Sequence, residues 1–222
     1  MDPSELQAWF DHVHAILEKG YLSHPEPWRQ SGQSGPYERW EALRKPIAQC
    51  IDRNGSFLDI GWANGYLLEC CLRWVAERNL QIYPYGLDVS APLVELAKQR
   101  LPAFVSHLFV GNAYDWTPTR TFDFVRTELV YVPAGYERDY VVRLFQQVVA
   151  PGGCLLIANY SEGQADPMRG LFPGCFGTAD ILAHLNDLHL HPIRYCDGCI
   201  PIENRRVRIA VLDRSSLKRY PF

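Results

Sequence analysis

The stretch Phe57-Leu58-Asp59-Ile60-Gly61-Trp62-Ala63-Asn64-Gly65 decides the fold, because it joins a short apolar run to a helix. Residues 57–60 have the length and apolar character of a buried strand, and the apolar residues of 66–78 recur at helical spacing. Glycines at 61 and 65 permit a tight turn and a close approach of the backbone to a ligand. The stretch therefore predicts a strand, a ligand-binding turn and a helix.

Further strands and helices alternate on the carboxyl side of this turn. Strands are predicted at 82–88, 107–111, 122–129 and 153–160, and helices at 90–100, with Ser90 as the N-cap, and at about 137–150. Alternation of this kind predicts a mostly parallel sheet with helices on both faces. Ligands bind beyond the carboxyl ends of the strands in such sheets, so the residues just after each strand form the candidate site.

The last part of the chain departs from this alternation. A helix is predicted from Thr178, as its cap, to about Leu188. Strands at 192–195 and 206–213 follow, joined by a turn near Asp197-Gly198. This order predicts an antiparallel hairpin at the edge of the sheet.

The N-terminal segment predicts helices separated by a long loop. Asp2-Pro3-Ser4-Glu5 has the pattern of a helix start, and apolar residues at helical spacing continue to Gly20. Residues 21–36 are rich in proline and glycine and predict a loop. Residues 37–52 predict a helix that is broken at Pro46, which has no N–H to donate.

We expect residues 1–54 to form a helical cap with a lid loop, and residues 55–222 to form the main domain in one compact unit with it. The loop at 28–37 has glycines for mobility and aromatic side chains suited to cover a planar ligand. It is predicted to close over the site, with Tyr37 or Trp40 as a wall. The alternative is that these aromatic residues pack the helices on the sheet.

Composition excludes several classes of protein. Of the 222 residues 47% are hydrophobic and 21% charged, which is typical of a globular chain. The net charge of −3 provides no field for capturing a phosphate backbone or an anionic membrane, so neither a nucleic acid nor a membrane is the predicted partner. The seven cysteines are an odd number, no secretory leader is recognisable, and no apolar run reaches about 18 residues, which together predict a cytoplasmic protein.

The turn itself excludes a dinucleotide site. That fingerprint needs glycines at 61, 63 and 66, but the chain has Ala63 and Tyr66, and the phosphate-binding loop of nucleotide hydrolases is also absent. What remains is Asp59 at the end of one strand and Asp88 at the end of the next, 29 residues later. A carboxylate in this second position suits the paired hydroxyls of a ribose.

From this point the residues resemble the class I S-adenosylmethionine-dependent methyltransferases. The pattern of that family, an acid followed by x-Gly-x-Gly-x-Gly, is matched from Asp59 to Gly65, with Ala63 in place of the middle glycine. Further landmarks follow in the family's order at Gly86-Leu87-Asp88-Val89-Ser90, Gly111-Asn112-Ala113, Phe122-Asp123-Phe124-Val125 and residues 149–155. The resemblance implies an α/β, Rossmann-like fold with a mostly parallel seven-stranded sheet and a C-terminal antiparallel hairpin.

The resemblance also implies the cofactor, S-adenosylmethionine, which carries no phosphate and calls for acids rather than lysines. Asp59 would hold its ammonium, Asp88 its ribose hydroxyls, and Val89, Asn112 and the Ala113 amide its adenine. The cofactor-binding residues implied are Asp59, Gly61, Trp62, Ala63, Asn64, Gly65, Asp88, Val89, Asn112, Ala113, Tyr114 and Glu128. The alternative is structural, with Asp59 capping its turn and Asp88 capping the following helix.

The methyl acceptor is expected above the end of the fourth strand, at residues 126–133. Glu128 and Tyr131 are the candidate catalytic residues there, and the alternative role for Glu128 is a salt bridge with Arg126 or Arg39. Residues 160–176, rich in glycine and proline, form a candidate wall whose aromatic side chains favour a small, partly apolar acceptor. The Asn-Pro-Pro-Tyr motif of enzymes that methylate base amines is missing, which disfavours a nucleic-acid target.

The predicted function is therefore methyl transfer from S-adenosylmethionine to a small molecule, with two alternatives. Glu128 and Glu137 stand nine residues apart, like the paired glutamates of protein arginine methyltransferases, and could hold a guanidinium unless Glu137 only stabilises a helix start. The other alternative is a non-catalytic binding or interaction module, because Trp62 could crowd the methionine part of the cofactor.

Three other features carry weaker expectations. The histidines show no spacing that predicts a metal site, and only His24 is a candidate base. Cys196-Asp197-Gly198-Cys199 has the spacing of a redox motif, but it follows a late strand and predicts a turn with two free thiols.

Overall fold

The structure is a computed structural model that describes residues 1–32, 35–163, 179–200 and 205–217. Its centre is one seven-stranded sheet with the order β3-β2-β1-β4-β5-β7-β6. The strands are β1 (Gly55–Ile60), β2 (Ile82–Asp88), β3 (Leu108–Val110), β4 (Phe122–Thr127), β5 (Val149–Glu162), β6 (Arg194–Ile200) and β7 (Arg205–Leu212). The first five strands are parallel, and β7 runs antiparallel to both β5 and β6. The α/β fold with a terminal antiparallel hairpin is thus confirmed.

Helices cover both faces of the sheet. They are α1 (Pro3–Leu22), α2 (Tyr37–Arg44), α3 (Pro46–Gln49), α4 (Tyr66–Ala76), α5 (Ala91–Arg100), α6 (Glu137–Gln147) and α7 (Ile181–Asp187). The predicted caps hold at α1, where Asp2 and Glu5 form a capping box, and at α5, where the Ser90 hydroxyl accepts from the Leu93 amide. None of the helices described is long and apolar enough to span a membrane.

The hydrophobic core lies in two layers, one on each face of the sheet. Alternate residues of β1 divide between them: Phe57 packs with helices α2 to α5, and Leu58 packs with α6 and α7. The helices α2 and α3 therefore belong to the main core. By contrast, α1 contributes only Val13 as a buried residue and lies across the carboxyl edge of the sheet.

Strand register brings the candidate residues to that edge. Asp59 pairs with Gly86 on one side and with Arg126 on the other, so the ends of β1, β2 and β4 are level. The turn after β1 and the loops after β2 and β4 consequently meet above the middle of the sheet.

The terminal hairpin differs from its prediction. Residues 196–199 lie inside β6, so the turn near Asp197-Gly198 was wrong. Asp197 pairs across the strands with Arg208, which donates two hydrogen bonds to its carboxylate at 2.7 and 2.8 Å. Gly198 is required because a Cβ there would meet the Pro46 ring of α3 and the Ala42 carbonyl. Both cysteines of this segment are free thiols, as predicted.

The helix before the hairpin begins later than its predicted cap. Asp180 is the N-cap of α7 and accepts a hydrogen bond from the Ala183 amide at 3.0 Å. Thr178, the predicted cap, and the candidate wall at 164–176 lie outside the described residues. At the other end of the chain, α1 continues past Gly20 to Leu22.

Candidate functional site

A cavity opens at the carboxyl edge of the sheet beneath α1, and we call it the α1 pocket. Its empty space is about 730 Å³, including the part that opens to solvent. Its floor comes from the ends of β1, β2 and β3 and from Tyr131. The lining residues are Trp9, Phe10, Val13, His14, Leu17, Glu18, Tyr21, Ile60, Gly61, Leu87, Asp88, Val89, Ser90, Leu93, Gly111, Asn112, Ala113 and Tyr131.

Asp88 is the carboxylate at the centre of the pocket floor. Its Oδ2 accepts from the Ala63 amide at 2.8 Å and its Oδ1 from the Ser90 amide at 2.9 Å, so both oxygens are fixed by backbone. Each oxygen keeps a further lone pair for a ligand hydroxyl. Burial raises the pKa of Asp88, and the amide hydrogen bonds from Ser90 and Ala63 oppose that rise. Its position is the one expected for a residue that binds ribose hydroxyls.

Three of the five residues in the turn after β1 have a left-handed backbone conformation. Gly61, Ala63 and Gly65 have φ values of 73°, 54° and 77°. An L-residue is strained in this region, and Ala63 adopts it at the position where the resembling family has glycine. Its amide thereby points at Asp88 Oδ2, so the departure from the family pattern keeps the geometry of the turn.

Trp62 points away from the α1 pocket. Its side chain is fully buried in the core and packs on Gly86, where a Cβ would overlap the indole. Trp62 is not among the lining residues, so crowding of the pocket by this indole does not occur. The sequence pattern does not show whether a tryptophan side chain at this position faces the core or the pocket.

Asn64 also serves the protein rather than the pocket. Its amide nitrogen donates to the Pro27 carbonyl at 3.0 Å and to Gln30 Oε1 at 2.9 Å, and its Oδ1 accepts from the Tyr66 amide at 3.2 Å. Asn64 therefore ties the loop after α1 to the start of α4. The structure places it outside the lining.

The predicted adenine residues line the far end of the pocket. Val89, Asn112 and Ala113 all contribute to the lining, and Val89 is 39% exposed. Asn112 Oδ1 accepts from the Tyr114 amide at 2.9 Å. Tyr114 is not a lining residue, and its ring contacts Phe10 of α1 in a tilted arrangement with ring centroids 5.6 Å apart.

The cover of the pocket is α1, which belongs to the segment expected to form a helical cap, although none of its residues was predicted as a site residue. Its apolar face, predicted from helical spacing, supplies Trp9, Phe10, Val13 and Leu17 to the lining. Three polar residues of the same helix, His14, Glu18 and Tyr21, complete it. The sequence signal for these three residues is their spacing: they follow one another at intervals of four and three residues, and so lie along one side of the apolar face of the helix.

One hydrogen-bonded chain attaches α1 to the floor. Ser90 Oγ donates to Glu18 Oε2 at 2.6 Å, and His14 Nε2 lies 3.0 Å from the same oxygen. Glu18 thus places a second carboxylate in the α1 pocket beside Asp88.

The predicted aromatic lid is instead part of the core. Trp40 is fully buried, its Nε1 donates to the Ser31 carbonyl at 2.8 Å, and Tyr37 stacks on it with centroids 6.3 Å apart. Neither Tyr37 nor Trp40 lines the pocket, so the wall predicted from the loop at 28–37 was wrong and its packing alternative holds. Residues 33 and 34 of this loop lie outside the described residues. His24 is also absent from the lining.

A buried charged group, the Arg126 cluster, adjoins the pocket above β1, β4 and β5. We define it as Asp59, Arg126, Glu128, Tyr131 and Tyr160. Arg126 Nη1 donates to Asp59 Oδ1, to Tyr131 Oη and to the Ile60 carbonyl, each at 3.2 Å. Arg126 Nη2 donates to Glu128 Oε1 and, at 3.1 Å, to Tyr160 Oη.

The two candidate catalytic residues meet in this cluster. Tyr131 Oη donates to Glu128 Oε1 at 2.9 Å, and the Tyr131 ring lies over Gly61, where a Cβ would overlap it. Tyr131 lines the pocket, whereas Glu128 forms the predicted alternative, a salt bridge with Arg126. Burial raises the pKa of Tyr131, so its hydroxyl remains protonated at neutral pH.

Asp59 is fully enclosed in the same cluster. Burial raises its pKa to about 6, although Arg126 acts in the opposite direction. Its Oδ1 is bound to Arg126, while its Oδ2 has no hydrogen-bond partner among the described residues. The second oxygen therefore has unused hydrogen-bonding capacity among the described residues.

The paired-glutamate arrangement does not form. Glu137 Oε2 accepts from the Gly135 amide at 2.6 Å, and its Oε1 lies 3.5 Å from His184 Nε2. Glu128 is bound instead to Arg126 and Tyr131. Among the residues that the structure describes, no group of three or more His, Cys, Asp or Glu side chains could hold a metal ion.

No protein-family model and no curated protein matches the sequence. Solved structures do match the fold. A Burkholderia thailandensis 1,6-didemethyltoxoflavin-N1-methyltransferase, bound to its substrate and S-adenosylhomocysteine, aligns with a TM-score of 0.63 at 14% identity, over 93% of this chain and 89% of that one. A Leishmania major S-adenosylmethionine-dependent methyltransferase aligns with a TM-score of 0.60 at 14% identity, over 92% and 83%.

A third match is an S-adenosylmethionine-dependent methyltransferase from Geobacter sulfurreducens in complex with S-adenosylhomocysteine, with a TM-score of 0.52 at 17% identity, over 82% and 74%. The chain has the class I methyltransferase fold. The Rossmann-like fold implied by the residues from Asp59 onward is thereby confirmed, and identities of this size establish the fold alone.

Proposed function

We propose that this methyltransferase fold transfers a methyl group from S-adenosylmethionine to a small-molecule acceptor. The observation that carries the proposal is Asp88, a carboxylate held by two backbone amides at the floor of a largely apolar pocket where a parallel sheet binds its ligands.

The composition of the α1 pocket fits this cofactor. Its lining contains no lysine or arginine among the described residues, as suits a nucleoside without phosphate. It contains two carboxylates, Asp88 and Glu18, which favour a cationic sulfonium electrostatically. Val89, Ala113 and Phe10 provide apolar surface for adenine at the far end.

The amino-acid end of the cofactor would reach the Arg126 cluster. Asp59 Oδ2, buried without a partner among the described residues, is the acceptor that the resemblance assigns to the ammonium. Reaching it requires Tyr131 to turn away from Gly61. The cofactor supplies an electrophilic methyl group, and this chain supplies alignment and exclusion of water through α1 and Tyr131.

Support for a small acceptor comes from two directions. One structural neighbour is a methyltransferase of 1,6-didemethyltoxoflavin, which is a small molecule. The net charge of −3 provides no counterpart for a polyanion.

Calorimetric titration with S-adenosylmethionine and S-adenosylhomocysteine tests the proposal. Both should bind, and Asp88→Asn should weaken binding by about 1.5–3 kcal/mol, because charged hydrogen bonds to the ribose are lost. Asp115→Asn is the matched control, since Asp115 is an exposed acid outside the lining. Each variant is checked for folding by circular dichroism. Unchanged affinity in Asp88→Asn, with binding intact, removes Asp88 from the site.

The second candidate is a non-catalytic binding module, and one observation favours it. Arg126 donates to Asp59 and to the Ile60 carbonyl, so a guanidinium already satisfies groups that a cofactor ammonium would use. Absence of binding of both nucleosides at millimolar concentration would favour this module and contradict the proposed enzyme.

A further inference from the structure

Arg44, at the end of α2, is a buried cation without an ionic partner among the described residues. It is 6% exposed, and its Nη1 has no hydrogen-bond partner among them. Arg126 also lies in the interior, but it is paired with two carboxylates, Asp59 and Glu128. Enclosing a guanidinium without a counter-ion is costly, and buried charges in proteins are normally paired.

The surroundings of Arg44 are shaped to hold its guanidinium in one place. Its Cζ lies 3.6 Å from the centroid of the Tyr160 ring, a cation–π contact. Gly32, with φ 118°, covers it from the loop, and a Cβ at that position would overlap Arg44 Nη2. Tyr160 and Gly32 therefore fix the group on two sides, while the hydrogen-bonding capacity of Nη1 stays unused among the described residues.

Arg44 is connected to the α1 pocket through the Arg126 cluster. Arg126 donates hydrogen bonds to the hydroxyls of Tyr131, which is a lining residue, and of Tyr160. The ring of Tyr160 in turn contacts the Arg44 guanidinium. Tyr21 lines the pocket too, and the charges of both Arg44 and Arg126 influence its hydroxyl. Arg44 is thus on the side of the pocket above β4 and β5, where the acceptor is expected.

The local charge at Arg44 favours an anionic acceptor. Arg126 is paired with Asp59 and Glu128, and Asp88 and Glu18 line the α1 pocket on the cofactor side, whereas Arg44 has no carboxylate partner among the described residues. A neutral acceptor would leave this buried guanidinium uncompensated. A carboxylate is a strong acceptor for a guanidinium, and the unpaired N–H groups of Arg44 Nη1 can donate to it.

We propose that Arg44 is the specificity residue for the acceptor, and that the acceptor is a small molecule bearing a carboxylate that binds to its guanidinium beside Tyr160. The inference rests on the proposed function, because the carboxylate is placed relative to a bound cofactor. Arg44 does not touch the reacting atoms in this proposal. It orients the acceptor.

The test uses the full chain saturated with S-adenosylhomocysteine, whose binding is measured first. Benzoate and phenylacetate are then titrated by calorimetry, each beside its neutral isostere, benzamide and phenylacetamide. At least one acid should bind about tenfold or more tightly than its amide, as expected for a paired guanidinium. Arg44→Met, which keeps a side chain of similar length over Tyr160, should abolish the difference.

A second readout separates recognition from a structural role. Arg44→Met should leave the melting temperature of the ligand-free protein unchanged or higher, because an unpaired buried charge is removed. Lys45→Met is the matched control: Lys45 is the next residue, an exposed cation paired with Glu77, and its loss should preserve the preference for acids.

The outcomes distinguish this inference from the proposed function. If S-adenosylhomocysteine does not bind, the proposed function fails and the inference fails with it. If it binds but acids and amides are indistinguishable, including when none of them binds, or if Arg44→Met retains the preference, only the carboxylate assignment is overturned. A lower melting temperature in Arg44→Met with an unchanged preference would make Arg44 a structural residue.

Discussion

The α1 pocket and the Arg126 cluster lie side by side at one edge of the sheet, yet they are built in opposite ways. The pocket is an apolar space whose central carboxylate, Asp88, is held by backbone amides. The cluster is filled with side chains that satisfy one another, with Arg126 between Asp59 and Glu128. Backbone-held groups leave room for a ligand, whereas mutually paired side chains must rearrange to admit one. We therefore expect substitution of a lining side chain such as Asp88 to change affinity, and substitutions in the cluster or in the backbone that supports the pocket to change stability.

Arg126→Gln should give the largest effect, because it leaves Asp59 buried without its cation. Removing one partner of a buried ion pair costs about 3–5 kcal/mol of unfolding free energy, measured by urea denaturation at pH 7.5. Lys45→Gln, which breaks an exposed pair with Glu77, should cost less than about 1 kcal/mol. Equal losses in the two variants would contradict the description of the cluster as a buried network.

The stability loss in Arg126→Gln should depend on pH in a direction that follows from the pKa of Asp59. The pKa of Asp59 is raised to about 6 in the folded protein, above the ordinary value of 3.8. Between these two pH values the folded protein therefore binds a proton that the unfolded chain does not bind. Stability from this group therefore increases on acidification from about pH 6 toward 4. Without Arg126 the pKa of Asp59 rises further, and the deficit of Arg126→Gln should shrink between pH 7.5 and 5. A deficit that grows on acidification would contradict this account.

Gly86→Ala should act next most strongly, through the support of the pocket floor. A methyl group at Gly86 would overlap the Trp62 indole. Overpacking of this kind costs about 1–3 kcal/mol, measured by the same unfolding experiment. In Gly86→Ala combined with Trp62→Leu, the smaller side chain makes room for the methyl group, so the loss should be less than the sum of the two single losses. Additive losses would mean that the two residues do not share this contact.

The contrast between the two regions also explains what the sequence could predict. The strands, the caps at Asp2 and Ser90, and the turn from Asp59 to Gly65 follow from local pattern, because hydrophobic periodicity, capping and glycine placement act over a few residues. Asp88 was assigned for the same reason, since a residue at a strand end must face the ligand edge. These features were predicted, and the fold was confirmed.

The side-chain environment was beyond the reach of local pattern. Trp62 faces the core and Asn64 binds the loop near Gln30, although both belong to the glycine turn that predicted a ligand site. The pairing of Arg126 with Asp59 joins positions 67 residues apart. Likewise, the apolar face of α1 was visible in the sequence, but which surface it covers depends on long-range packing. Tertiary contacts of this kind leave no signal at one position.

Ala63→Gly should sharpen the comparison by stabilising the pocket turn. Ala63 has φ 54°, and an L-residue is strained there, whereas glycine is not. Relief of the strain raises the unfolding free energy, and the greater conformational entropy of glycine in the unfolded chain offsets part of this gain. We therefore expect a net gain of about 0.5–1 kcal/mol. Ala76→Gly, in ordinary helical backbone of α4, should instead lose up to about 1 kcal/mol. The same sign in both variants would contradict strain at Ala63.

The smallest expected effect concerns the cover of the pocket. The hydrogen bond from Ser90 lowers the pKa of Glu18 below its ordinary value of 4.5, so the ionised carboxylate helps to hold α1 over the pocket. This stabilisation is complete above about pH 4.5 and is lost as pH falls through the lowered pKa. Hydrogen-exchange protection of α1 amides, corrected for intrinsic rates, should therefore decrease a few-fold on acidification to that range. Glu18→Gln should remove the dependence, whereas Asp11→Asn, on the same helix and hydrogen-bonded to Gln7, should retain it. Protection that is independent of pH in the unmodified protein would mean that Glu18 does not hold α1 over the pocket.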